Sequence, residues 1–373
     1  MNDFKIAVFG CWNRGCVENS GQKSVADLIK SNESKYKFMV ILGDNYYAKK
    51  RTLIEKKPSK LKINLTDIQE LKNGFECLEQ IKLEKKLIMG NHDVVNSYDK
   101  SCSILKAQLK LPWYDVKFPF GYDLYYLYQE DKKEIYGTVL FIYLDTTLYN
   151  EKLTKINSCY KLVLDKDYTE LKNEQNAFLI ETLKLINVKI HNIKNVVLFG
   201  HEPLFTFSNK KQAKKCVVKT ELLDILFEEK KKYNNVNFNW ICADYHIYQN
   251  SIVTNDNDQH ITQLIFGTGG GELSEPPTIP IPSEEFKKYK LSILPNIVYN
   301  YDQNETNISE EYAGMDGLGM YGYGEISFNL CTMTHRFVIP NFDYIKEEDI
   351  YKSKYKKYKN KYIQLKNFNV TNA

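Results

Sequence analysis

FMVILGDNYY, residues 38–47, runs five apolar residues into Gly43-Asp44. A continuous apolar run of this length suits a strand buried on both faces. A glycine directly after it permits a tight turn and close backbone approach. The arrangement recurs four more times. FKIAVF (4–9) stops at Gly10-Cys11, KLIM (86–89) at Gly90-Asn91-His92-Asp93, NVVLF (195–199) at Gly200-His201, and FNWIC (238–242) at Ala243-Asp244-Tyr245-His246. Five strands that each end on possible metal ligands predict one site at the carboxyl ends of the strands of an α/β fold.

Helical patterns lie between these runs. Residues 175–187 place Phe178, Leu179, Leu183 and Ile186 on one side, and 220–232 do the same with Leu222, Leu223, Leu226 and Phe227. Further strands are expected over 139–146 (VLFIYLDT), over 262–271 ahead of a glycine cluster, and in 319–330 and 333–339. The Pro-rich segment 275–300 reads as a surface loop or lobe.

The chain has 373 residues and a formal charge of +4, which by itself suggests nucleic-acid binding. The charge is local: residues 351–373 hold seven Lys and no acid, and removing those seven from +4 leaves the remaining chain at −3. A mildly acidic body makes a nucleic-acid partner a poor expectation. In the tail, Tyr351, Tyr355, Tyr358, Tyr362 and Leu365 recur at alternating spacings of four and three, a heptad seam on an amphipathic helix. Such a helix could dock on its own domain, pair with a protein partner or a second copy, or serve as an arm for a nucleic acid or an anionic surface. The eight Cys are irregularly spaced with no CxxC pair, which argues against a zinc ribbon. No signal peptide is visible after MNDFKIAVFG, and no apolar run approaches the ~20 residues of a membrane span. The expectation is therefore an intracellular, cytoplasmic protein with mostly reduced thiols.

GDNYY (43–47), GNHD (90–93), GHEPLF (200–205) and CADYHIYQ (242–249) resemble four of the five ordered motifs of calcineurin-like metallophosphoesterases of the purple-acid-phosphatase kind, the tartrate-resistant acid phosphatase type. The remaining motif appears as Gly10-Cys11-Trp12-Asn13. Secondary matches follow in order: Trp113 with Pro119, Leu144-Asp145-Thr146, Gln175 with Leu179 and Leu183, and the Gly267–Gly271 turn. The resemblance covers about residues 4–340. It implies one α/β domain over 1–340, built as a four-layer αββα sandwich of two mixed β-sheets flanked by helices; the heptad seam adds a basic C-terminal helix over 341–373. The Lys/Tyr tail is also similar to tails of large DNA virus proteins, which would imply a viral factory or virion setting.

The resemblance further implies a two-metal hydrolase of phosphomonoesters, with iron paired to zinc, manganese or a second iron. Two cations about 3.5–4 Å apart neutralise an anionic ester and supply hydroxide near neutral pH. Asp44 would bridge the ions, Tyr47 would be the tyrosinate that favours trivalent iron, and Asn91 would offer a carbonyl oxygen. His201 and His246 would offer imidazoles. His92 would be no ligand but the catalytic group facing the phosphate, with Asn91 and His201 beside it against the substrate.

Two ligand positions depart from the family pattern. The first Asp is Cys11, and the penultimate His is Asp244. Both can still donate: a thiolate binds iron or zinc, and a carboxylate binds through oxygen. The expected sets become Cys11, Asp44, Tyr47 and His246 for one ion, and Asp44, Asn91, His201 and Asp244 for the other. The loop at 208–215 carries lysines where the family commonly places another His; they either attract an anionic substrate or form a solvated surface. Two functions follow: an active metal-dependent phosphoesterase, or a degenerate member of the fold that acts as a binding or structural protein.

Overall fold

The computed structural model describes residues 4–13, 20–47, 65–94, 101–129, 134–150, 159–208, 215–270, 288–294, 298–300, 321–329 and 332–339. The tail helix expected over 341–373 lies outside them.

Two seven-stranded mixed sheets form the centre. The first is built on β1 (Phe4–Phe9), β2 (Phe38–Leu42), β3 (Glu84–Ile88) and the short β4 (Asp115–Val116), which run parallel to one another. The second is built on β5 (Phe120–Gln129), β6 (Glu134–Leu144), β7 (Ile193–Phe199), β10 (Asn237–Cys242), β11 (Tyr248–Asn255), β12 (His260–Phe266) and β13 (Tyr289–Ile293). Its centre, β6-β7-β10-β12, is parallel, and its flanks are antiparallel. The late strands β14 (Val298–Asn300), β15 (Tyr323–Asn329) and β16 (Thr332–Ile339) return to the first sheet, where β15 pairs with β1. A separate hairpin joins β8 (Phe205–Ser208) to β9 (Lys215–Val218).

Side-chain alternation explains why the strand sequences are apolar throughout. Along β1, Ile6 and Val8 face the other sheet, while Ala7 and Phe9 face the helices. Along β2, Phe38, Val40 and Leu42 point inward and Met39 and Ile41 outward. The second sheet repeats the division: Val197, Phe199 and Ile241 turn inward, Val196, Leu198 and Trp240 outward. Both faces of each central strand are thus buried, and a run with no polar break is required.

Helices cover the outer faces. Over the first sheet lie α1 (Gly21–Ser31), α2 (Leu65–Glu79), α4 (Ser103–Gln108) and α5 (Tyr160–Leu164); α3 (Asn91–Val94) is a single turn directly after β3. Over the second lie α6 (Tyr168–Leu183) and α7 (Thr220–Lys232). The start of α6 is fixed by Asp167, whose carboxylate accepts from the N–H groups of Thr169 and Glu170. Helix α7 buries Leu222, Leu223, Leu226 and Phe227 and ends on Lys230-Lys231-Lys232, which complement the negative end of the helix dipole. The result is the four-layer αββα sandwich of the metallophosphoesterase fold.

Two expectations are corrected. The segment 275–300 is not simply a loop, because β13 and β14 fall within it. Strand β13 alternates from a buried Tyr289 to exposed Lys290 and Ser292, the mark of a strand covered on one face. The expectation of mostly reduced thiols also fails among the described cysteines. Cys102 and Cys159 form a disulfide across 57 residues, and Cys77 is disulfide-bonded as well. Cys11 and Cys242 are free and buried.

Candidate metal centre

The strand-end residues converge at the carboxyl edge of the two sheets. Three of them, Cys11 after β1, Asp44 after β2 and Asp244 after β10, have left-handed backbone with φ of 54°, 51° and 58°. Asp and Asn tolerate this region better than most residues, whereas Cys has no such advantage. The strands are held close here: Cys11 N–H donates to Gly43 O at 3.0 Å. Gly90 has no room for a side chain, since a Cβ there would stand 2.3 Å from Asp44 N and 2.4 Å from Asp44 Oδ1.

Asp44 is the hub. Its Oδ1 accepts from His92 N–H at 3.0 Å, and its Oδ2 accepts from Tyr47 Oη at 2.9 Å. His201 Nε2 lies 3.1 Å from Oδ1 without hydrogen-bond alignment. The opposite ring nitrogen of His201 is anchored, because Nδ1 donates to Leu42 O at 2.7 Å. That bond aims Nε2 at the centre, where a metal ion displacing its proton would find the lone pair, an arrangement typical of a metal-ligating imidazole. Asp244 Oδ1 stands 3.8 Å from the same Nε2 with its side chain 26% exposed. Tyr47 Oη also reaches His246 Nε2 at 2.9 Å, and the Tyr47 ring lies 5.1 Å from the ring of His92. His92 is the exposed member at 57%, its Nε2 4.0 Å from Asp44 Oδ2.

The electrostatics are those of charge held out of water. Burial pushes the Cys11 thiol well up, and the carboxylates of Asp44 and Asp244 add to this. Burial also raises Tyr47, reinforced by Asp44. For Asp44 the raising effect of burial is overcome by His201 and His92, which hold its carboxyl below the usual range. His201 is lowered by burial, yet Asp44 beside it carries it up to about 10.

These residues fit metal ions. Donor atoms of Cys11, Asp44 and His201 lie within 4.8 Å of one another, all buried. His201 Nε2 and Asn91 Oδ1 are buried with no hydrogen-bond partner among the described residues. Orphaned buried polar atoms cost free energy, and a cation at this position would satisfy both, displacing the Nε2 proton of His201. The structure thus gathers every residue expected from the sequence at one edge: Cys11, Asp44 and His201 in the tight cluster, with Tyr47, Asn91, His92, Asp244 and His246 around it.

Sequence reasoning missed the brace beneath the centre. Asp93 accepts from Gly90 N–H at 2.8 Å, from Asn45 N–H at 3.1 Å and from Gln108 Nε2 at 2.9 Å. Asn45 in turn accepts from Trp12 Nε1 at 3.2 Å. The Asp93 carboxyl is pushed up to about 6 by burial and by nearby Asp44. The brace ties the turns after β1, β2 and β3 together; its only signal was an acid inside GNHD and an amide inside GDNYY. The secondary matches find a similar purpose. Gln175 Oε1 accepts from Asp145 N–H at 2.8 Å, and Thr146 Oγ1 accepts from Glu202 N–H at 2.8 Å, fixing the residue after His201. Glu202 is buried and paired with buried Lys219.

Two mixed sheets with a buried carboxylate, imidazoles and an amide oxygen converging on one edge define the metallophosphoesterase class. The chain belongs to the calcineurin-like phosphoesterase family, whose model matches residues 4–248. Among solved structures it is similar to GAP50, the anchor in the inner membrane complex of Plasmodium, with 15% identity, a TM-score of 0.53, and coverage of 94% of this chain and 87% of that one. It is also similar to the purple acid phosphatase PPD1 from yellow lupin (Lupinus luteus) seeds, with 12% identity, a TM-score of 0.51 and coverage of 94% and 56%. At these identities the likeness is one of fold. No curated protein matches the chain. No helix among the described residues is long and apolar enough to cross a membrane.

Proposed function

We propose that this protein is a metal-dependent phosphoesterase acting on phosphomonoesters, with Cys11 and Asp244 serving in place of the usual ligands. The observation that carries the reading is the buried Asp44–His201 pair, 3.1 Å apart with an orphaned Nε2, lying directly beneath the exposed His92. Asp44, Tyr47, His246 and Cys11 would hold one cation, and Asp44, Asn91, His201 and Asp244 the other. Bound cations, iron with zinc, manganese or iron, would neutralise the phosphate and acidify water. Asp44 presents one oxygen to each side of the centre, and the His201 Nδ1 bond to Leu42 O keeps its other nitrogen aimed inward. His92 stands at the mouth, where it can bind the phosphate and pass a proton to the leaving oxygen.

The test is hydrolysis of an aryl phosphate after incubation with each metal, read beside metal content. His92→Ala should lower turnover by about 10²-fold or more while metal content stays level. Equal turnover in the variant would remove His92 from the chemistry.

A second reading is favoured by Cys11 itself. A soft, fully buried thiol at a left-handed backbone position replaces a hard carboxylate, and GAP50, which shares the fold, is described as an anchor. On this reading the site has lost its metals and the protein binds a partner, for which the tail heptad at 351–365 is the candidate surface. Metal content near zero after incubation with iron, zinc and manganese would select it.

A further inference from the structure

At the end of the sandwich opposite the metal centre, the amino ends of β7, β10, β12 and β16 and the last turns of α7 line a half-open cavity of about 190 Å³. Its polar lining comes from Asn195, Lys230, Asn237, Asn239, His260, Thr262 and Thr332, with no Asp or Glu among the described residues that line it. The volume is below that of sites for drug-sized ligands, so an occupant must be small.

One buried donor in this lining lacks a hydrogen-bond partner, and one buried ammonium has no carboxylate beside it. Asn195 is 1% exposed; its Oδ1 accepts from Asn237 Nδ2 at 3.3 Å, but its own Nδ2 has no partner among the described residues. Lys230 is 9% exposed, and its Nζ donates to Val236 O at 3.2 Å and lies 5.4 Å from the centre of the Phe238 ring. No carboxylate lies within 4.0 Å of that ammonium among the described residues, unlike buried Lys86 and Lys219, which are both paired. Burial lowers the Lys230 pKa with no opposing effect. The unpartnered amide donor costs free energy on burial, and an ammonium with no carboxylate beside it leaves a charge that an anion bound in this pocket would balance. With an ammonium and no carboxylate among the described lining residues, donors arriving from several strands and a helix suit an anion with acceptors on all sides.

We propose that this cavity is a second ligand site that binds a tetrahedral oxyanion, a free phosphate or the phosphate group of a small ester, through Lys230 Nζ and Asn195 Nδ2. It is separate from the metal centre and does not depend on its activity. The test is calorimetric titration of the full chain, stripped of metal by chelator so that neither binding nor turnover at the proposed metal centre contributes, with orthophosphate and in parallel with glycerol 3-phosphate, whose relative affinities tell the two sources apart. Lys230→Met, and independently Asn195→Asp as a near-isosteric change that aims a carboxylate into the cavity, should each weaken binding by about tenfold or more. His201→Ala should leave this binding in place. Equal affinity in wild type and both variants, loss of all binding in His201→Ala, or no binding of either ligand to the wild type would each overturn the proposal.

Discussion

His201 Nε2 stands 3.1 Å from Asp44 Oδ1, and both side chains are buried. Without a cation, the pair is held by charge attraction, and both groups shift accordingly: Asp44 down, His201 up to about 10. On the proposed reading the same two atoms would be ligands once a cation is bound. Asp44→Asn keeps the volume and one acceptor while removing the charge shared by both ligand sets. It is expected to reduce metal content from about two ions per chain to one or none, measured by elemental mass spectrometry, with unchanged circular dichroism. Undiminished metal in a folded variant would show that Asp44 is no bridge.

Cys11 offers the converse change. Its φ of 54° suits Asp better than Cys, so Cys11→Asp places the family's usual ligand where the backbone already favours it. Iron occupancy should rise, and oxidative loss of metal under peroxide should slow, since a thiol beside iron is oxidisable. Metal content and peroxide sensitivity identical to wild type would put Cys11 outside the coordination sphere.

The strand-end cluster was legible in the sequence because its signal is local: an apolar run, a glycine, then a ligand. Asp44, His92 and His201 are each read from a few consecutive residues. The brace was harder, because Asp93 meets Asn45 only once the turns after β2 and β3 are side by side. Strand β13 was hidden by its exposed Lys290 and Ser292 and by the prolines before it. The disulfide was illegible for another reason: Cys102 and Cys159 are 57 residues apart and meet beneath α3, where Cys159 N–H donates to Val94 O at 3.0 Å. Irregular spacing carries no trace of such a pairing.

That bridge leads to a stability prediction. It closes a long loop and sits inside the apolar layer under the helices of the first sheet. The double change Cys102→Ser with Cys159→Ser should destabilise the fold by about 2–5 kcal/mol in denaturant unfolding. Peptide mapping without reductant should recover the two segments joined. Both thiols free to alkylation in unreduced native protein would contradict the pairing.

His335, on β16 opposite Ile326, gives a pH signature away from the metal centre. Its Nε2 is buried with no partner among the described residues, and burial lowers its pKa from 6.5 to about 4. Between those values the unfolded chain takes up a proton that the folded one refuses, so stability must fall as the pH drops through this window. Above pH 6.5 the contribution is fully present. The loss for this one group is roughly 2–3 kcal/mol by pH 4.5. His335→Leu removes the titration and fills the same space with an apolar side chain. Unfolding free energies of the two proteins should therefore run level above neutral pH and diverge on acidification, with the variant the more stable. Because every other titrating group is common to both chains, their difference isolates His335, and parallel pH profiles would show that its ring is protonated as readily folded as unfolded.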